Sequence, residues 1–385
     1  MNGFIKSLSS VKWKNLVNYI AIGIVAAIFS TMTLTVGLPQ SILFLLEKVT
    51  MNIILAVSLS LVVGFLGELS LGHAGFMCIG AYMGGKVACL LDSVIDGKGI
   101  VSFIIALIVG TVVAGIFGLI IGLPALRLKG DYLAIVTLAF GEIVKTIFQN
   151  TSSESFGGPL GLRTPRLDKS YLFIIGFVLV LITLFVIQNL INSKHGRAIT
   201  AIRDNEIAAR ATGINVTKYK LVGFIISSAF AGVAGVFYSF ANSTVSASVF
   251  DYNFSIEILI MVVLGGMGNI SGTIISAALI TYVNIQLQTI LTGDLAVLKD
   301  IIYALILVLI IIYNNAPALK TFRERYNIKQ FINRIMAGRR HSGDDEARWD
   351  VVPTKIDMDE ILSVDVKVTE STVKPDQPDR KENDN

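Results

Sequence analysis

The sequence predicts an all-α, polytopic membrane protein with about ten transmembrane or half-spanning helices. Apolar residues make up 53% of the chain and charged residues 16%, against roughly 45–50% and 25% in an ordinary soluble domain. The apolar residues also come in blocks about as long as the ~20 residues that cross ~30 Å of hydrocarbon. Charge supplies a third observation. The net charge of +4 conceals thirteen acidic against six basic residues beyond residue 340, a balance of −7, which leaves +11 over residues 1–340. A basic surplus on a membrane protein marks loops facing the cytoplasm.

Taken in order, residues 1–16 carry Lys6, Lys12 and Lys14 and read as a cytoplasmic N-terminal segment. The uncharged block from Val17 to Val36 exceeds the 7–15 residue core of a signal peptide and lacks a clear small-residue cleavage site, so it reads as a retained first span. Further blocks run over 50–67, 69–91, 100–123, 131–149, 171–191, 220–241, 255–268, 270–291 and 300–315. Ten crossings put both termini on one side. With the N-terminus inside, the inner segments hold eighteen Lys and Arg and the outer segments six, which predicts that both termini are cytoplasmic. The transmembrane domain therefore spans 17–315, with its longest charged loop at 193–220. In the remaining segment, 316–385, a basic run to Arg340 suits the anionic inner leaflet. The acidic residues after it lack the apolar content for a core and read as largely disordered.

Gly80-Ala-Tyr-Met-Gly-Gly-Lys-Val87 fits a phosphate loop at seven of eight positions. The eighth, where a Ser or Thr would hold magnesium, is Val87, and the surrounding residues are a membrane helix rather than a strand and a soluble helix. Its glycines read as a helix-packing surface. Cys78 and Cys89 would lie about 16 Å apart along one helix, too far for a disulfide. His73, His195 and His341 are too scattered for a zinc site, so no metal ligands are assigned. Lys86 falls toward the outer end of its span and reads as an interfacial anchor. No paired carboxylate, metal cluster or nucleophile with a base appears at usable spacing, so no catalytic residue is assigned and the chain does not read as an enzyme.

The stretch around Gly265, Gly266, Gly268 and Asn269 interrupts two apolar blocks. It reads either as tight helix packing or as a break bordering a substrate path. Gly157-Gly-Pro-Leu-Gly161 in the outer loop has turn chemistry. Glu142 and Lys145 stand three apart, on neighbouring positions of one helix face. Glu142 lies about 16 Å from the start of its helix, near mid-membrane, where an isolated charge costs at least ~2.5–3.5 kcal/mol. The pair therefore reads either as lining a translocation path or as an internal ion pair that locks helices.

Within the loop 193–220, Ala198, Ile199, Ala201, Ile202, Ile207, Ala208 and Ala211 recur at near-helical intervals among charged residues, and Gly213 stands where a C-terminal glycine would. This predicts one short amphipathic helix whose apolar side needs a groove to fill. Glu206, Ala208, Ala209 and Gly213 resemble the glutamate, alanine and glycine loop by which ABC importer permeases dock into their ATPase subunits, with Ile207 as one extra residue. Leu69-Ser-Leu-Gly-His-Ala-Gly-Phe76, Gly130-Asp-Tyr-Leu-Ala-Ile-Val-Thr-Leu-Ala-Phe-Gly-Glu-Ile143 and Val263-Leu-Gly-Gly-Met-Gly268 occur in this order. Together these blocks resemble the LivM-type permease of branched-chain amino acid ABC importers, over approximately residues 50–315.

That resemblance implies a multi-pass subunit of a bacterial-type plasma membrane, surrounded by lipid and without nucleic-acid partners. It implies a second related permease, two ATP-binding subunits and an extracytoplasmic substrate-binding protein that delivers leucine, isoleucine or valine. ATP-Mg would be used by the partner ATPases, and no cofactor is expected on this chain. Arg203, Glu206, Ala208, Ala209 and Gly213 are the expected coupling residues. Glu142, Lys145, Gly265, Gly266, Gly268 and Asn269 are the expected path residues. Permeases of the same family carry urea or short amides, which remains an alternative. An ion-coupled secondary transporter using Glu142 is a further one.

Overall fold

The computed structural model describes residues 39–92, 99–128, 130–167 and 169–290, with Tyr19, 22–25, 27–32, Leu305 and Val308. The chain divides into two units, Met1–Asn315 and Ala316–Asn385, and every described residue lies in the first. The N-terminal segment and the tail lie outside the described residues, the last expected span almost entirely so, and the first expected span is described only in part, at Tyr19, 22–25 and 27–32.

Eight described helices answer to eight of the expected blocks. Helix α1 (Gln40–Ser60) begins after Pro39 and runs directly into a π turn, Leu61–Leu66, which ends at Gly67. Helices α2 (His73–Asp92), α3 (Gly99–Ala125) and α4 (Asp131–Asn150) follow. After the short α5 (Ser153–Phe156) come α6 (Lys169–Asn192), α7 (Lys194–Asp204), α8 (Glu206–Ala211) and α9 (Val216–Ala241). The described part closes with α10 (Tyr252–Gly265) and α11 (Ile270–Ile290). Among the described residues six helices are long and apolar enough to cross a membrane: α1 with its π turn, α2, α3, α6, α9 and α11. α4 carries three charges, and α10, at 14 residues, extends only about 21 Å.

One boundary departs from expectation by ten residues. α1 starts at Gln40 rather than 50, so Glu47 and Lys48 lie inside a helix and not in an outer loop. The Glu47 residue is buried, and the Lys48 ammonium sits 5.0 Å from the Tyr238 ring centre and 5.7 Å from that of Phe44. Aromatic faces attract a cation, which lets the charge stay within the bundle.

Small residues decide how the helices pack. α9 lies along both α2 and α3, which also contact each other, while α1 is bordered by α6, α9 and α11. A Cβ on Gly80 would fall 2.3 Å from the carbonyl oxygen of Gly232 and 2.5 Å from its Cα, so α2 and α9 meet backbone to backbone. In lipid such close approach replaces the hydrophobic drive that holds soluble helices together. The stretch that mimics a phosphate loop is thus the interior of α2 facing α9. Phe76 joins three helices at this seam, with ring centres 4.9 Å from Phe140 and 5.6 Å from Phe224. The glycine-rich loop after α4 makes turns at Gly157, Gly158 and Gly161, all at positive φ. It then forms a two-residue strand β1 (Leu162–Arg163) antiparallel to β2 (Thr244–Val245). The Tyr82 hydroxyl donates to the Val245 carbonyl at 3.0 Å and ties β2 to α2.

Candidate functional site

The loop 193–220 forms two helices rather than one. Ser193 caps α7, its hydroxyl accepting from the His195 and Gly196 N–H groups. At Asn205 the backbone is extended (φ −159°, ψ 104°), and the Asn205 side chain accepts from the Ala208 N–H at 3.0 Å. Asn and Asp side chains compete for backbone groups and favour caps over helix interiors, so Asp204-Asn205 ends one helix and starts another. α8 closes at Gly213, whose φ of +85° disfavours a side chain, and the Ile214 N–H reaches back to the Ala209 carbonyl at 3.1 Å.

This break sorts the apolar residues into two sets. Ile202, Ala209 and Val216 are buried together with Ile214 and Tyr219 against them, and Ile199 is buried in the main core. Ile207 is 80% exposed, and Ala208, Ala211, Thr212 and Gly213 are exposed beside it. α8 therefore grips the bundle through Ala209 and offers an apolar outward face around Ile207.

Polar contacts tie both short helices to one segment of α1 and the turn after it. The Lys220 ammonium, nearly buried at the start of α9, donates to a carboxylate oxygen of Glu68 and to Glu206 Oε2 at 3.1 Å. Glu206 also accepts from Arg210 at 2.8 Å. Arg203, at the end of α7, donates through Nη1 to the Gly64 carbonyl at 3.0 Å and through Nη2 to Asp204 at 2.9 Å. The helix end at Gly67, after the π turn, makes the Gly64 contact available. In an α-helix the Gly64 carbonyl would accept from Glu68. Here the Glu68 N–H goes to Val62 at 3.1 Å, and the Gly64 oxygen is left for the guanidinium.

The interrupted stretch lies at the same end of the bundle. α10 stops at Gly265, Gly266 and Gly268 turn the chain at φ +87° and +81°, and the Asn269 carbonyl accepts from Thr273 as α11 begins. A Cβ on Gly64 would fall 2.5 Å from Gly268 N, and one on Gly268 would be 3.4 Å from Arg203 Nη1. Gly268, Gly64 and Arg203 thus share one junction. The sequence alone does not bring these three together, and it does not select Glu68, Lys220 or Gly64. The available signals were a lone carboxylate in the gap between two apolar blocks and a lysine ending the charged loop.

At the other end of α10 sits the second polar set. Lys145 donates to Glu142 Oε2 at 2.9 Å. Glu142 Oε1 accepts from the Tyr252 N–H at 2.9 Å, and Asp251 caps the same helix by accepting from Phe254 at 3.0 Å. Two carboxylates at a helix N-terminus meet the positive end of its dipole. The pair is partly exposed, with side-chain accessibilities of 20% for Lys145 and 32% for Glu142. It joins α4 to the start of α10, while the junction at Arg203 holds the end of α10. Among the described residues no group of three or more His, Cys, Asp or Glu is arranged to hold a metal.

Residues 41–311 match the family described as branched-chain amino acid transport system / permease component. The chain is 38% identical over 260 residues to the high-affinity branched-chain amino acid transport system permease protein LivM of Salmonella typhimurium, covering 59% of each chain. It thus spans 59% of that relative's length. It is 32% identical over 172 residues to a probable branched-chain amino acid transport permease protein LivH of Methanocaldococcus jannaschii, covering 43% of this chain and 51% of the relative. A ribose import permease protein, RbsC of Escherichia coli, is 25% identical over 317 residues, covering 77% of this chain and 92% of the relative. No solved structure matches the chain.

Proposed function

Because the chain belongs to the branched-chain amino acid transport permease family, we propose that it is one membrane-spanning subunit of an ATP-driven importer that carries leucine, isoleucine or valine inward. The family match over 41–311 carries this reading, and the likeness to LivM supports the substrate class. The family is a transport permease, not a catalytic enzyme. ATP-Mg belongs to two partner ATPase subunits. An external binding protein delivers the amino acid. The second permease is a related chain, and similarity to both LivM and LivH proteins supports that pairing.

In this reading the α7–α8 end of the bundle is cytoplasmic, and both termini lie on that side. The exposed face of α8, from Ile207 to Gly213, docks into a cleft of an ATPase subunit. A short helix with an apolar outward face and capped ends presents a shaped surface without needing to refold on contact. Closure of the ATPases on ATP displaces α8, and the bundle opens alternately to each side. Glu142 and Lys145 border the path at the start of α10. Gly265, Gly266, Gly268 and Asn269 form the turn through which α10 and α11 shift.

Uptake of labelled leucine by cells with and without this chain tests the substrate class, with ribose and urea as competing substrates. Leucine uptake that depends on the chain and on ATP is expected, together with ATPase subunits that co-purify with it. Uptake of ribose or urea in place of leucine would overturn the amino-acid reading, and uptake that follows an ion gradient without ATP would overturn the coupling.

A further inference from the structure

The contacts around Lys220 separate docking from transmission. α8 faces outward through Ile207 but is held inward at Glu206, whose carboxylate shares Lys220 with Glu68. α7 holds the same stretch of chain four residues earlier, through Arg203 and the Gly64 carbonyl. Asn205 breaks the helix between these two attachments. Gly64 in turn touches the backbone of Gly268 in the turn between α10 and α11. An extended residue flanked by two short helices lets α8 tilt relative to α7, and each helix has its own hold on segment 61–68.

We propose that Lys220 and Arg203 are the positioning residues that convert displacement of α8 into movement of segment 61–68 and, through Gly64 and Gly268, of the α10–α11 turn. The proposal rests on the reading of α8 as the ATPase-facing element. Lys220 is buried within the bundle. Its ammonium lies between two carboxylates from segments 138 residues apart, and the nearly buried site leaves little water to replace either contact. The helix end at Gly67 is the matching device on segment 61–68. It holds the Gly64 oxygen open so that an arginine on another helix can grasp the main chain directly, which a continuous α-helix would prevent.

The test uses the full importer complex in lipid vesicles, comparing Lys220→Met, Lys220→Arg and Glu68→Gln with the parent at matched assembly. Leucine taken up per ATP hydrolysed is expected to fall roughly tenfold in Lys220→Met, while ATPase association and the hydrolysis rate are retained. Lys220→Arg restores the ratio, because a guanidinium can still bridge both carboxylates. An unchanged ratio in Lys220→Met overturns the proposal. If that variant does not assemble, Glu68→Gln, which keeps the side-chain shape, decides in the same way. A second measurement does not depend on ATP. In the full-length chain in detergent, amide exchange over residues 205–213 is expected to be roughly tenfold faster in Lys220→Met than in the parent, with α3 unchanged. Equal exchange overturns the grip whatever drives transport. A parent complex that shows no ATP-dependent uptake overturns the proposed function instead.

Discussion

Replacing Gly80 with Ala tests the backbone seam on which the bundle depends. The new Cβ would lie 2.3 Å from the Gly232 carbonyl oxygen and 2.5 Å from its Cα, whereas carbon atoms rest at about 3.5–4.0 Å. α2 and α9 would have to part by roughly 1 Å, and a gap of that size forfeits a quarter to a half of each contact along the seam. α9 cannot retreat freely, because Gly232 is backed by α3: a Cβ on Gly232 would fall 2.5 Å from that of Ala114. Overpacking of this kind costs about 2–3 kcal/mol, offset by about 1 kcal/mol from the better helix propensity of Ala. The net loss of about 1–2 kcal/mol corresponds to a melting point lower by roughly 1.5–3 °C for a domain of about 300 residues. Gly141→Ala is the control, since its nearest neighbour atom would be 3.8 Å away. It gains the propensity and loses nothing, so its melting point is expected to rise slightly. Both variants are to be melted in the same detergent and followed by loss of the monodisperse peak on size-exclusion chromatography. Gly80→Ala melting at or above Gly141→Ala would refute the backbone seam.

Three further outcomes are expected. Ile207→Asp removes the most exposed apolar group of α8, so the chain should melt within about 0.5 kcal/mol of the parent while ATPase subunits no longer co-purify; retained association would remove Ile207 from the docking face. Gly213→Ala forces a side chain into φ +85°, a strain of about 1–2 kcal/mol, which should speed amide exchange at the end of α8 and leave the membrane helices unaffected. Glu142→Gln keeps an oxygen for the Tyr252 N–H but loses the charge opposite Lys145, at a stability cost of about 1 kcal/mol or less. Leucine uptake at matched assembly should fall, and unchanged uptake would take Glu142 out of the transport path.

Most of the eight helices that answer to apolar blocks were legible because lipid leaves the chain little choice. A backbone that cannot bond to water must satisfy itself over a long apolar block, and such blocks are visible in sequence. Legibility failed where a side chain's partner is distant. Glu47 and Lys48 look like loop residues until Tyr238 and Phe44 are seen beside the ammonium. The resemblance pointed to Glu206, Ala208, Ala209 and Gly213, and helical spacing predicted one short helix over this loop. Neither revealed that Asn205 divides it, because an asparagine side chain chooses between cap and solvent only when the surrounding fold demands a turn. Lys220 and Glu68 are 152 residues apart, and Arg203 and Gly64 are 139 apart. No local pattern encodes such a pairing. Only the bundle's topology brings them together.

The shortness of α10 links the two polar sets physically. A helix of 14 residues spans about 21 Å, too little for ~30 Å of hydrocarbon, so at least one of its ends meets the chain within the membrane and needs polar partners there. Glu142 and Asp251 supply them at Tyr252 and Phe254, while Gly266 and Gly268 turn the chain at the other end beside Gly64 and Arg203. A helix this short does not bend appreciably, so a push on the Gly268 turn must be absorbed where Glu142 holds the first turn. The Glu142 carboxylate is suited to that place, because it holds the Tyr252 N–H by one hydrogen bond that can shift over a fraction of an ångström while Lys145, three residues along the same helix, keeps it paired, whereas interlocked apolar packing resists graded movement. Lys145→Met at matched assembly therefore separates a sliding contact from a fixed one. If the Glu142–Tyr252 contact is a moving joint that Lys145 steadies, the leucine-to-ATP ratio falls while stability changes by about 1 kcal/mol or less. If it is only a lock between α4 and α10, stability falls and the ratio of the surviving complex stays at the parent value.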